Sequence, residues 1–408
     1  MKIRSITYFL EPGNPIEESR LVSAGRFLAQ AKTIFQDAGL EVQTTRLALP
    51  PLERTFNASS IISAPKYAQD IEAACFVHSI DYASLGIVRP SDPDPFFEII
   101  PEVIGGTENI FVAAMIASPL FGLSLSAIRR AAEIIHRCST LSPDGLANLR
   151  FAALANVEPG APFLPAAYHE GGMPSFAIAT ESADLAVTAF TGAASLAEAH
   201  SRLVTAIEEN AKKINTTAKK AGSARGVRFA GIDFSFAPFP SAEQSIGAAI
   251  EALGVPAVGA SGTVAAAAFI TDALNKARFP RIGFSGLLLS VLEDNVLAAR
   301  AAEGTLTLND LLLYATVCGT GLDTVPLPGH ITPGELSGIL LDVAALALRH
   351  NKPLTARLMP MPGKKAGDEL KFDLPILAAG RVLDVETKAR PLGGALGGDE
   401  SFDIAKLH

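Results

Sequence analysis

At 408 residues the chain exceeds the usual size of one domain, so its length points to two domains or one large α/β body. Acidic residues outnumber basic ones by 42 to 34, for a formal charge of −8, and no basic run occurs, which argues against nucleic acid as the main partner. Hydrophobic residues make up 49 % of the chain and aromatics only 7 %, a mixture that suits close packing of small-residue helices on a sheet.

The three cysteines, Cys75, Cys138 and Cys318, form no disulfide framework and fit a reducing cytoplasm. The opening Met1–Phe9 reads as a strand and lacks the apolar core of a leader. Two charge-free windows, Asn109–Ile128 and Ala252–Thr271, are interrupted by Ser118-Pro119 and Pro256, so neither is expected to span a membrane.

In chain order, Lys2–Leu10 is a buried strand. Asn14-Pro-Ile-Glu17 opens a helix that stops near Gly39, and Glu41–Ala48 is a second strand. Pro65–Ile80 and Leu123–Thr140 are helices, the latter with Arg129, Arg130 and Arg137 on its polar side. An internal echo follows: Leu149-Arg-Phe-Ala152 and Val227-Arg-Phe-Ala230 each precede a proline-rich stretch, hinting at duplicated architecture. Ala194–Ala221 is a long helix with a lysine-rich solvated face, and Thr263–Ala277 a helix of small residues. Arg281–Phe284 is a short strand. Thr307 and Thr332 open helices to about Val317 and Leu348, and Leu354–Met359 is the last clear strand. Residues 1–362 form one body, and 363–408, rich in Gly, Lys and Asp, a loop-rich arm.

Five segments could carry chemistry. His169 sits in the Pro/Gly-rich stretch after one strand and could move a proton or bind metal; a satisfied loop histidine is the alternative. Asp233, with Ser235, interrupts an apolar strand, where an acid must be paired, protonated or on a metal; a salt bridge to Arg228 or Arg150 is the structural option. Glu293 and Asp294 end an apolar run and either open a helix or offer carboxylates to a divalent cation, calcium or magnesium. Cys318-Gly-Thr-Gly-Leu-Asp-Thr-Val-Pro-Leu-Pro-Gly329 reads as a rigid loop capped at Gly319, with Thr320, Asp323 and Thr324 as polar groups and Cys318 as a buried thiol. Lys364 and Lys365 could hold an anion or mark a solvated turn. There is no nucleotide-binding glycine motif, HExxH or paired CxxC.

Gly226–Pro240 and Cys318–Gly329 together resemble the family of unknown function numbered 711. The resemblance runs from Lys2-Ile-Arg-Ser-Ile-Thr through Arg357–Asp368. It implies a pyruvate formate-lyase-like α/β barrel: two five-stranded parallel half-sheets, wrapped by helices, with a loop threaded through the middle. The stretch beginning at Cys318 is then the candidate threaded loop. By the same resemblance Cys318 compares with the active cysteine of glycyl radical enzymes, although Gly380-Arg-Val-Leu-Asp-Val-Glu lacks a radical-glycine signature. The resemblance also implies a small ACT-domain regulatory partner and amino-acid-related metabolism.

These readings combine into an enzyme acting on a small polar metabolite of amino or oxo acid type. His169, Asp233 and Glu293 do acid–base or metal chemistry, Asp233, Glu293 and Asp294 hold any cation, and Ser235, Cys318, Thr320, Asp323 and Thr324 orient the ligand. The alternative is a non-catalytic metabolite or metal sensor with a partner protein. Alanine-rich helices make a homo-oligomer the expected assembly.

Overall fold

The computed structural model describes residues 1–318, 320–385 and 389–407; the helix cap expected at Gly319 lies outside them. Ten strands carry the fold: β1 (Lys2–Phe9), β2 (Val42–Ala48), β3 (Tyr82–Val88), β4 (Ile110–Ser118), β5 (Gly122–Ser124), β6 (Phe151–Ala155), β7 (Ser175–Glu181), β8 (Arg228–Asp233), β9 (Gly321–Pro328) and β10 (Leu354–Met361). They lie in one sheet ordered β8-β7-β1-β2-β3-β4-β6-β10-β9, with short β5 on β4. β1, β2, β3, β4 and β6 run parallel. So do β7 with β8 and β10 with β9, and these meet the first block at antiparallel seams, β1 on β7 and β6 on β10. Isolated parallel bridges tie Ile232 to Arg281, Phe236 to Leu287 and Ser290 to Asp323, so segment 281–290 touches both outer strands.

Parallel neighbours need crossovers, and helices Glu18–Asp37, Ala64–Val77 and Leu125–Ser139 supply them in the first block. Both faces of the sheet are therefore buried. In β4, Ile110, Val112, Ala114 and Ile116 pack on the helix side, while Ala113 and Met115 pack on the other face with Val157, Phe163, Ala166 and Tyr168. That second face is thus filled by the connection between β6 and β7. The Ser5 hydroxyl, at 3.4 Å, and the Thr7 hydroxyl, at 3.0 Å, hold the connection by donating to the Pro162 carbonyl.

Most of the stretch expected to be a loop is extended. Gly321–Pro328 is strand β9, and all eight residues are buried. Pro326 and Pro328 fit an edge-like strand: among the described residues the side of β9 away from β10 carries one ladder bridge, Ser290–Asp323, so few acceptors await their missing N–H groups. The echoed strands β6 and β8 do not hold equivalent places, since β6 lies at a seam and β8 beside β7. The C-terminal stretch packs as well: Leu370, Leu377 and Val382 cluster with Leu292, Met359 and Met361. Among the described residues no helix is long and apolar enough to cross a membrane.

Candidate functional site

Two irregularities in the ladder aim charge into the molecule. Arg4 is the extra residue where the β1–β7 register slips between Ile3 and Ser5. Arg357 faces two residues, Asp323 and Thr324, where β10 and β9 slip. Bulges of this kind re-aim side chains. Thr324 there has φ +43°, a region a β-branched residue enters only under strain, and its hydroxyl accepts from the Leu292 N–H at 3.3 Å.

A buried ion network results. The Arg357 guanidinium donates to Asp323 Oδ1 at 2.6 Å and Oδ2 at 3.0 Å, and to Glu293 Oε1 at 2.7 Å. Arg4 donates to Glu293 Oε2 at 2.6 Å and stands 4.0 Å from Glu181. The Ser290 hydroxyl closes on Asp323. Burial alone would raise the pKa of Glu293, but the charges of Arg4 and Arg357 outweigh it and hold the group below its ordinary value. Glu293 therefore stays ionised.

Beside this network, on β2, lies Arg46. Its Nε donates to the Thr44 hydroxyl at 2.9 Å, and its Cζ lies 5.9 Å from the centroid of the Tyr82 ring. It has no ion pair among the described residues, and its two terminal nitrogens make no hydrogen bond there. Burial, then the like charge of Arg4, bring its pKa down to about 9, so it remains cationic at neutral pH. Arg4, Arg46, Glu293 and Arg357 all line one pocket of about 800 Å³. Arg150 shares that wall but is committed to the carbonyls of Thr107, at 2.7 Å, and Ile104, at 2.8 Å. What this pocket offers is one buried, unneutralised guanidinium, a fork that matches a carboxylate.

The residues expected from the sequence divide among several places. Glu293, Asp323 and Thr324 belong to the network. Asp233 does not: its carboxylate accepts from the Ser235 hydroxyl at 2.5 Å and from the N–H groups of Phe284 and Ser285, both at 2.9 Å. Neither Arg228 nor Arg150 pairs with it; backbone donors pin segment 281–290 to the end of β8 instead. Asp294 caps the helix Asn295–Glu303, accepting from Val296 at 2.9 Å and Leu297 at 3.1 Å, and also binds the Ser245 hydroxyl at 2.6 Å. Of the two options for the adjacent acids, Asp294 opens a helix and Glu293 is ion-paired. Among the described residues no three His, Cys, Asp or Glu side chains gather as a metal site.

His169 is buried with Nε2 unpartnered, and burial pushes its pKa down. Its N–H bonds the Leu49 carbonyl at 2.9 Å, just beyond β2, whereas Thr44 of that strand bonds the Arg4 carbonyl at 2.7 Å. Five strand residues, about 16 Å, separate those two backbone points along β2. Cys318 is buried and burial raises its thiol pKa, while the Thr320 hydroxyl donates to the Leu287 carbonyl. Arg4, Arg46 and Arg357 were not anticipated, although each is a charge within a strand of the sheet, a signal like the one that singled out Asp233.

Known proteins bear on this arrangement through the family alone. The family model described as uncharacterised ACR (DUF711) matches residues 1–375. A UPF0210 protein of Pyrobaculum arsenaticum is 32 % identical over 392 residues, covering 90 % of this chain and 85 % of that protein. One from Pyrobaculum aerophilum is 35 % identical over 347 residues, 81 % of this chain and 76 % of its own. A UPF0210 protein of Neisseria meningitidis is 26 % identical over 373 residues, 87 % of this chain and 82 % of that protein.

Proposed function

The chain belongs to the DUF711 family, which includes the UPF0210 proteins and whose names carry no activity, and on that premise we propose that it binds a small amino or oxo acid in the arginine-lined pocket. One observation carries this reading: the buried guanidinium of Arg46 has no carboxylate partner. Leaving such a charge unpaired costs stability unless a ligand completes it. Glu293 lines the same pocket and stays ionised, and a carboxylate retains lone pairs after two arginine contacts, so it can also receive an ammonium group. A divalent cation forms no part of the proposal, because the oxygens of Asp233, Glu293 and Asp294 already face protein donors.

Titration calorimetry with short 2-oxo acids and their amino counterparts tests it. Binding that weakens at least tenfold in Arg46→Gln, with Asp233→Asn unaffected, is the expected result. Equal affinity in Arg46→Gln removes the carboxylate from this site.

We further propose that the sheet closes into a ten-stranded barrel of the pyruvate formate-lyase type. The bridges at Arg281, Leu287 and Ser290 support it. With 281–290 as a tenth strand, each half holds five parallel strands. The threaded loop is then the connection 157–174, which contains no cysteine, and not the stretch after Cys318.

A further inference from the structure

The pocket is larger and more apolar than a short acid requires. About 800 Å³ falls in the range that encloses drug-sized ligands, and a three-carbon acid would leave most of it to water. Next to Arg46 the rings of Tyr82 and Phe111 meet edge to face, centroids 5.5 Å apart and planes at 79°, and both remain only partly buried. Leu164, from the connection between β6 and β7, packs against them from inside. Leu374 and Ile376 of the C-terminal stretch line the same pocket, and Ile376 is 48 % exposed. A pocket that places an aromatic pair and two aliphatic side chains together offers apolar surface for the body of a ligand.

Resting on the carboxylate reading of Arg46, we infer that the acid taken by this pocket carries an aromatic or other bulky apolar side chain. Its carboxylate meets Arg46, and its body lies on Tyr82, Phe111 and Leu164 beneath Leu374 and Ile376.

Calorimetric titration of the full chain with pyruvate, 2-oxoglutarate, 4-methyl-2-oxopentanoate and phenylpyruvate tests the side-chain preference, with 1-phenylpropan-2-one as the ring without the carboxylate. We expect phenylpyruvate and 4-methyl-2-oxopentanoate to bind at least tenfold more tightly than pyruvate. That advantage should shrink in Phe111→Ala and in the mouth variant Ile376→Ser, whose side chain is exposed enough not to endanger folding. If all four acids bind alike and all depend on Arg46, the side-chain inference falls and the carboxylate reading stands. If the ketone matches phenylpyruvate and Arg46→Gln changes nothing, the carboxylate reading falls. An advantage that survives both variants places the apolar body elsewhere, and no binding of any acid at millimolar concentration overturns both readings.

Discussion

Arg357 holds three carboxylate oxygens from two acids that are themselves buried, so the guanidinium acts as the counter-charge for the end of the sheet. Removing it alone strands Asp323 and leaves Glu293 with Arg4. Arg357→Met should lower the unfolding free energy by about 3–5 kcal/mol, the usual cost of breaking a buried pair. Urea denaturation measures it, and a loss under about 1 kcal/mol would mean that solvent reaches the pair. Arg46 behaves differently because it lacks such a partner. Its pKa is drawn down to about 9 by burial and Arg4, with Arg357 adding repulsion and Tyr82 and Glu293 opposing. The ligand anion binds the charged form, so affinity should be flat from pH 6 to 8 and fall as pH rises through about 9. A profile unchanged to pH 10 would detach binding from Arg46.

At the scale of elements, closeness of backbones sets the limits. Gly86, within β3, has φ +86°, and an added Cβ would lie 2.2 Å from the Pro50 carbonyl oxygen. Gly86→Ala should therefore cost on the order of 2 kcal/mol or more, read as a lowered melting temperature; an unchanged value would show that the chain after β2 can withdraw. Local signals of helices were legible. Thr332 with Glu335 and Thr307 with Asp310 form the capping boxes that their spacing implies. Strand β9 was not legible, because Gly321, Pro326 and Pro328 are turn formers, and they stay extended where the second side of the strand carries a sparse ladder. Asp233 was singled out correctly as a costly buried acid, but besides the nearby Ser235 hydroxyl its partners are backbone N–H groups contributed by residues some fifty positions away. The same reasoning about cost, applied to Arg4, Arg46 and Arg357, would have found the pocket. Which of these charges lacks a partner depends on bulges that no periodicity reveals.

For the whole molecule, α/β architecture was legible from alternating strands and crossover helices, and the sheet order was not. The seams β1–β7 and β6–β10 join residues far apart in sequence, beyond what local pattern encodes. If the sheet closes through 281–290, β8 and β9 have no free edge. Amide hydrogen exchange should then be as slow in 281–290 as in β1 and β4, whereas rapid exchange there would mean an open sheet.

The ion network joins Arg4, Glu293 and Arg357, contributed by nearly opposite ends of the chain. On a ribosome, Arg4 can approach Glu181 once some 180 residues have followed it, meets Glu293 only after some 290, and Glu293 then waits for Arg357. If the proposed pocket is the ligand site, recognition is a property of the completed polypeptide: a nascent chain halted before Arg357 emerges lacks the full network, and translation would then set the moment at which binding can begin.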